Sequence, residues 1–340
     1  AYHHFSAFDN VKSLPVLLHD QGYITARIGK YHVAPEQVFH FDQTLNANAR
    51  NPVQMAEVSN QFITDHGSKP FFLYCCTADP HRGGGVAKDD PYQPNRFGNI
   101  DEGYGGVTRN LIAPQEVVVP GFLPDNAACR AELAQYYESV NRVDQGVGQL
   151  VQHLKDAGIY DNTIIIYISD NGIAFPGAKT NLYNAGMRLP CIIRNPLITR
   201  VSDTCDAMIN WADLAPTILD FAGVYDDRLL SSYLPDADKN KKTIGGIPVF
   251  GKFHGRSFKK VMEDGDISGW DETYASHTFH EITMYYPMRV AMDRNYKLIW
   301  NIAHGLEYPF ASDLWASATW QSVINDETPL KMYGPRTVDS

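Results

Sequence analysis

The chain has 340 residues, 44% apolar and 20% charged, with a formal net charge of -10. This suits one large globular unit, or a large one and a small one, with a sizeable core. The acidic balance leaves no broad basic surface for nucleic acid, and no apolar run is long enough to span a bilayer. The five cysteines, Cys75, Cys76, Cys129, Cys191 and Cys205, lack CxxC spacing, which argues against a thiolate zinc site. The first residue is Ala1 and no cleavable leader follows it, so the chain is expected to begin inside a longer protein.

Strands and helices alternate through the first two thirds. Residues 14–21 read as a short helix with Ser13 as N-cap, Pro15 in the first turn and Gly22 as the stop. Residues 24–28 read as a strand, 55–66 as a helix and 70–77 (PFFLYCCT) as a second, buried strand. An irregular stretch rich in Gly, Pro and Asn runs from 82 to about 125; loops of that size are usually functional or lids. Leu133, Tyr136, Tyr137, Val140, Val143, Val147, Leu150, Val151 and Leu154 recur at helical spacing, predicting a long helix over 127–157. A β-branched run at 164–168 predicts a third strand, 191–194 a fourth, and 211–221 a helix. Residues 226–242 are polar and read as a surface excursion. Beyond about Thr273 short strands at 289–292 and 296–301 flank a turn at Asp293-Arg294-Asn295. The fold class is therefore α/β: a large, mixed and mostly parallel sheet flanked by helices, with a smaller antiparallel subdomain. The expected division is 1–280 for the main domain and 281–340 for the start of the small one.

Three of these strands are each followed closely by polar groups. The first leads into Gly29-Lys30-Tyr31-His32, the second into Asp79-Pro80-His81-Arg82, and the third into Ser169-Asp170-Asn171-Gly172, with Lys179 nine residues after Asp170. Taken singly, each set has a plain explanation as a solvated turn. Three together are better explained by one pocket at the carboxyl edge of the sheet. Asp170 and Asn171 are hard oxygen donors that suit Ca2+, with Mg2+ the lesser choice. Lys30 and Lys179 suit the non-bridging oxygens of a tetrahedral oxyanion ester, and a histidine suits proton donation to a leaving group. Arg82 reads as a structural partner, Tyr136 and Tyr137 as core, His254 and Arg256 as structural, and His3, His4, His277 and His280 as packing or rim residues.

The segments GYITARIGKYHVAPE, FLYCCTADPHR, YYESVNRVDQGVGQLVQHLKDAGIYDNTIIIYISDNG and FPGAKTNLY closely resemble the sulfatase family of the alkaline phosphatase superfamily. They occur in family order and cover most of the chain. HHFSAFDNVKSLPVLL and SHTFHEITMYYPMR resemble its sulfamidase branch, the heparan N-sulfatases. The resemblance implies an alkaline-phosphatase-like fold and a hydrolase of sulfuric esters or N-sulfates on sugars, at its narrowest N-sulfoglucosamine of heparan-type glycans. It implies that Asp170 and Asn171 ligate Ca2+, that Lys30 and His81 contact the sulfate, and that His32 stands by the nucleophile. Lys179 would bind the sulfate from the other side, where some sulfamidases carry arginine. Glu281 and Arg289 become candidates for sugar contacts. A periplasmic, secreted or lysosomal location and a homodimer are also implied.

The family nucleophile, a formylglycine made within C/S-x-P-x-R, has no counterpart motif in these residues. Nor is there a pair of adjacent aspartates on a first strand; Asp89-Asp90 and Asp226-Asp227 lie in polar stretches. Asp170 and Asn171 alone fall short of the ~6–8 oxygens Ca2+ prefers. The reading is a sulfatase fragment that is inactive alone, with its formylglycine expected upstream. Two alternatives stand beside it: a phosphodiesterase or phosphonate hydrolase of the same superfamily, and a non-catalytic binder of sulfated glycans.

Overall fold

A computed structural model describes residues 6–9, 11–198, 204–225, 243–244, 247–248, 253–281, 284–328 and 331–338. The polar stretch at 226–242, with Asp226 and Asp227, lies outside them, as do His3 and His4.

Helix α1 (Leu14–His19) buries Pro15, Leu17 and Leu18. Ser13 precedes it in extended conformation, but its side chain makes no capping bond and its Oγ is buried without a partner. Proline in the first turn removes an orphan N–H, which lessens the need for a side-chain cap. Strand β1 (Ile24–Gly29) runs parallel to β2 (Gln43–Leu45) on one side and to β3 (Phe71–Cys76) on the other. The β1–β3 register pairs Ile24 with Phe71 and Gly29 with Cys76, so both strands end at the same level. Helix α2 (Pro52–His66) crosses between β2 and β3, with the Asn51 side chain accepting from Gln54 N at 3.0 Å.

Helix α3 (Ala127–Asp156) has 30 residues, a length of about 45 Å. It is capped by Asn126, whose side chain accepts from Cys129 N at 2.9 Å. Cys129, Leu133 and Ala134 on its buried face join the largest core cluster, against which Tyr136 and Tyr137 pack. That face also carries charge: Glu132 takes both Nη atoms of Arg82, at 2.6 and 2.9 Å, while Arg142 donates to Asp79 at 2.7 Å and to Asn99 at 2.6 Å. These bonds tie the irregular 82–125 stretch to the helix. Phe97, 0% exposed and stacked on Phe175 at 5.8 Å, makes part of that stretch core.

Strand β4 (Ile165–Ile168) pairs antiparallel with β5 (Cys191–Arg194). The short helix α4 (Asn184–Met187) lies on the connection between them, and α5 (Leu214–Phe221) packs Leu219 against Leu17 and Leu18. Among the described residues β4 has no strand on its other edge, and neither has β3. A two-residue pair, β6 (Thr243–Ile244) and β7 (Ile247–Pro248), follows. Three antiparallel strands, β8 (Glu272–His280), β9 (Met284–Asp293) and β10 (Lys297–Asn301), form the smaller sheet, with β9 central. This sheet takes its first strand from residues before 281. Its inner face packs Tyr286, Met288 and Val290 on Leu182; its outer face exposes Tyr274, Leu298 and Trp300. Two short helices, Ser312–Trp315 and Ala318–Ile324, then return to the core beside α3.

Candidate active site

Lys30 leaves β1 through Gly29, whose φ is +88°. A Cβ at Gly29 would stand 2.1 Å from the Cys76 carbonyl oxygen, so only glycine fits, and Lys30 N donates to that same oxygen at 2.7 Å. The end of β1 is thereby bolted to the end of β3. Lys30 and His32 are both exposed there.

His81 follows β3 and is held by a buried charge network. Asp79, its side chain 0% exposed, accepts from Arg50 at 2.8 Å and from Arg142 at 2.7 Å. Arg50 also donates to the His81 carbonyl at 2.6 Å. His81 Nδ1 lies 2.7 Å from the Arg82 carbonyl oxygen. A carbonyl only accepts, so Nδ1 carries the proton and Nε2 presents a lone pair. Arg82 itself is spent on Glu132 and on Ala174 O, the structural role its sequence context suggested.

Lys179 approaches from the far side. After β4 the chain turns through Asp170-Asn171-Gly172, where a Cβ at Gly172 would meet Ala185 O at 2.1 Å. Phe175 and Ala178 then sink into the interior, both 0% exposed, and Lys179 follows at 6%. Its Nζ lies 3.3 Å from His81 Nε2 and 2.7 Å from Asp313 Oδ2. A buried ammonium requires such partners. Burial pushes the His81 imidazole below its usual value, and the charges of Lys179 and Lys30 act the same way, against the Arg82 hydrogen bond and the Asp313 charge.

Asp170 is exposed and, among the described residues, forms no ion pair with a lysine or arginine. Burial raises the Tyr74 hydroxyl and the Cys76 thiol, and the Asp170 charge raises both further; the Lys30 charge opposes it at Cys76. Asp170 and Lys30 thus flank the carboxyl end of β3. Asn171 is half-buried beside Asp170 and accepts from Ser169 Oγ through its backbone carbonyl at 2.9 Å.

Lys30, His81, Asp170 and Lys179 therefore share one electrostatic neighbourhood, with Asn171 adjacent in chain and His32 two residues beyond Lys30. Glu281 lies on its margin, accepting from Ser312 N at 3.2 Å and Ser312 Oγ at 2.9 Å, with His280 Nε2 4.0 Å away. Arg289 is not brought in. It stands on the outer face of the small sheet, alternating with the buried Met288 and Val290, in a shallow recess with Tyr274, Ser276 and Trp300. Arg256 stacks on Trp270 at 3.8 Å, a structural use.

Beyond the scaffold arginines Arg50 and Arg142, two groups at the site itself escaped the sequence reading. Asp313 has no motif of its own and meets Lys179 across 134 residues. His280 reads as a rim residue, yet burial lowers its pKa and the Lys179 charge lowers it further. His280 reaches the site at the end of β8, and Asp313 through the Ser312–Trp315 helix, held by Leu314 in the core and by the Ser312 bonds to Glu281.

Among the described residues no group of three or more His, Cys, Asp and Glu side chains surrounds a metal position. Asp170 and Asn171 still fit a hard cation: one unpaired carboxylate and one carboxamide, both oxygen donors, at the sheet edge. Two donors make one side of a Ca2+ shell, not all of it.

The sulfatase family model matches residues 2–224, more than half of the chain. Human N-sulphoglucosamine sulphohydrolase is 36% identical over 337 residues, which cover 96% of this chain and 64% of that protein. A sulfatase structure from work on glycosaminoglycan metabolism by Bacteroides thetaiotaomicron superimposes with a TM-score of 0.58 at 17% identity, covering 87% of this chain and 68% of that one. The phosphonate monoester hydrolase of Agrobacterium radiobacter gives 0.57 at 14%, covering 86% and 74%. Such neighbours share an alkaline-phosphatase-like fold, and fold alone does not choose between sulfate and phosphonate. The family model's span includes β1, β3 and the β4-to-Lys179 segment that build the cluster, and this chain belongs to the sulfatase family.

Proposed function

We propose that this chain carries the sulfate-binding side of a sulfohydrolase acting on sulfated sugars, with N-sulfoglucosamine of heparan-type glycans as the narrowest substrate. The carrying observation is the buried Lys179 ammonium at 3.3 Å from His81 Nε2, with the Lys30 charge converging on the same imidazole. The relative with N-sulphoglucosamine in its name, 36% identical over most of this chain, supports the narrow substrate.

In this reading Lys30 from β1 and Lys179 from beyond β4 neutralise non-bridging sulfate oxygens from two sides. His81 keeps Nε2 unprotonated in the resting site; a proton taken up there makes it the acid for the leaving nitrogen or oxygen of the sugar. Asp170 and Asn171 would hold one side of a Ca2+, which when bound polarises a sulfate oxygen. The nucleophile, a formylglycine, has no motif in these 340 residues; His32, exposed past Lys30, is proposed to stand beside it. Glu281, at the site margin, is proposed to meet the sugar. We retain 1–280 as the main domain and 281–340 as the start of the small one, although β8 contributes to both. No helix among the described residues is long and apolar enough to cross a membrane, and a glycan substrate favours a periplasmic, secreted or lysosomal setting.

The test is sulfate release by the complete protein, read by ion chromatography. N-sulfoglucosamine should be hydrolysed in preference to a 6-O-sulfated analogue. Faster turnover of a phosphonate monoester than of any sulfated sugar overturns the proposal.

A further inference from the structure

Lys179 has three N–H donors. The neutral His81 tautomer fixed by the Arg82 carbonyl can only accept at Nε2, so one donor goes there, at 3.3 Å. A second goes to Asp313 Oδ2 at 2.7 Å. One remains. Asp313 is itself held firmly. It sits on the Ser312–Trp315 helix, whose Ser312 N and Oγ donate to Glu281 and whose Leu314 is 1% exposed.

The Asp313 carboxylate is a costly choice if its only task is stability. Its Oδ1 is buried with no hydrogen-bond partner, and Arg82, the nearby cation, gives its donors to Glu132 and Ala174 O. A half-buried carboxylate with one enclosed, unsatisfied oxygen is a penalty that calls for a reason. Charge supplies one. Lys30 and Lys179 bring two positive charges toward an anion, and Asp313 cancels one of them at the shortest distance in the cluster.

We infer that Asp313 is a positioning residue of the sulfate subsite: it fixes the Lys179 ammonium against His81, leaves it a single free donor, and weakens the subsite's hold on free sulfate so that the product ion leaves. This rests on the sulfate reading above and adds to it a counter-ion that limits affinity. Burial alone would raise the Asp313 carboxyl; the hydrogen bond and charge of Lys179, with the charge of Arg82, overcome this and hold it below the usual carboxylate value, so it is ionised at neutral pH.

The experiment is titration of the complete protein with inorganic sulfate by calorimetry at fixed ionic strength. In Asp313→Asn the amide oxygen still accepts from Lys179 but the charge is gone, and sulfate should bind about fivefold tighter, as expected for removing one partly screened charge at close range. In Asp313→Ala the ammonium loses its anchor, and sulfate should bind more weakly than in the unaltered chain. Lys179→Ala should weaken it most. The imidazole 15N signals of His81 supply a second readout: Nε2 carries the shift of a hydrogen bond accepted from Lys179 in the unaltered chain and Asp313→Asn and loses it in Asp313→Ala, while Nδ1–H stays on the Arg82 carbonyl throughout. Sulfate binding in Asp313→Asn that is unchanged or weaker, while Lys179→Ala is impaired, overturns the inference and leaves the sulfate reading standing. Normal binding in Lys179→Ala, or none in the unaltered chain, overturns the sulfate reading and this inference with it.

Discussion

Lys179 and Arg289 are both cations that the sequence nominated, and they ended in opposite situations. Lys179 is 6% exposed, with two side-chain partners drawn from elements 98 and 134 residues away. Arg289 stands on the exposed face of a sheet, bonded to the carbonyls of Met288 and His277 on its own and the neighbouring strand. What separates them is convergence. A cation held by remote elements has its direction fixed and its hydration removed, so an anion meets it in a set geometry. One rooted in a single sheet keeps water and alternatives.

The largest effect that sharpens this comparison lies in the scaffold under His81. Arg142→Ala leaves Asp79 buried with only Arg50 beside it, and Asn99 Oδ1 without its donor. Breaking such a buried pair should cost about 3 kcal/mol of stability, measured by urea unfolding. A loss below a tenth of that would mean the network is dispensable to the site.

Next comes the chemistry itself. In the complete protein Lys179→Ala should raise the barrier to sulfate release by about 3 kcal/mol, with no recovery on adding Ca2+. Asp170→Ala should recover partly if, as proposed, the loss there is one carboxylate of a Ca2+ shell. Arg289→Ala should change kcat by less than about 0.5 kcal/mol, as surface substitutions do; contact with a distal sugar unit would show as a raised KM alone. Equal kcat losses for Lys179→Ala and Arg289→Ala would dissolve the distinction drawn between them.

The smallest effect is a pH dependence. Burial, the first cause in each case, lowers the pKa values of His81, His277 and His280 from 6.5. Groups depressed in the fold take up protons more readily when unfolded. Their contribution is therefore present above pH 6.5 and lost as pH falls from there through the lowered values. The melting temperature should be flat above that point and decline below it, with a shallower decline in His277→Asn. A melting temperature that rises on acidification would contradict the partial desolvation of these rings.

Much of this was legible locally. The apolar runs that became β1, β3 and β4 and the helical spacing that became α3 are signals of short range, and each was followed by the polar groups that reach the site. The pairing of β4 was not legible: an apolar run looks the same beside a parallel or an antiparallel neighbour, and here β5 runs antiparallel. The cap at Ser13 failed because composition cannot tell an Oγ that bonds from one that is merely enclosed. Asp313, with its flanking sequence FASDLWAS, gives no hint of a partner 134 residues earlier. Arg50 and Arg142 escaped for the same reason: the carboxylate they share lies between them in sequence but only meets both in three dimensions. Long-range ion pairs are a property of the assembled chain.

Among the described residues the outer edge of β3 is unpaired, which has a practical consequence for anyone handling this polypeptide. Its six residues, FFLYCC, contain no charge, no proline and no glycine, and Tyr74 is 42% exposed. Across the way β4 shows Ile168 at 37% and β5 shows Ile192 at 65%. An uncharged, β-prone edge of this kind is a template for another copy of itself. At high concentration the chain should precipitate by strand addition through β3, and a single lysine at Tyr74 should keep it in solution. The neighbouring Cys75 is exposed on the surface, yet desolvation of its thiol and the nearby Cys76 push it up to about 12, which slows its attack as a thiolate. Reducing agent alone should therefore not cure the loss, and a gatekeeping charge should.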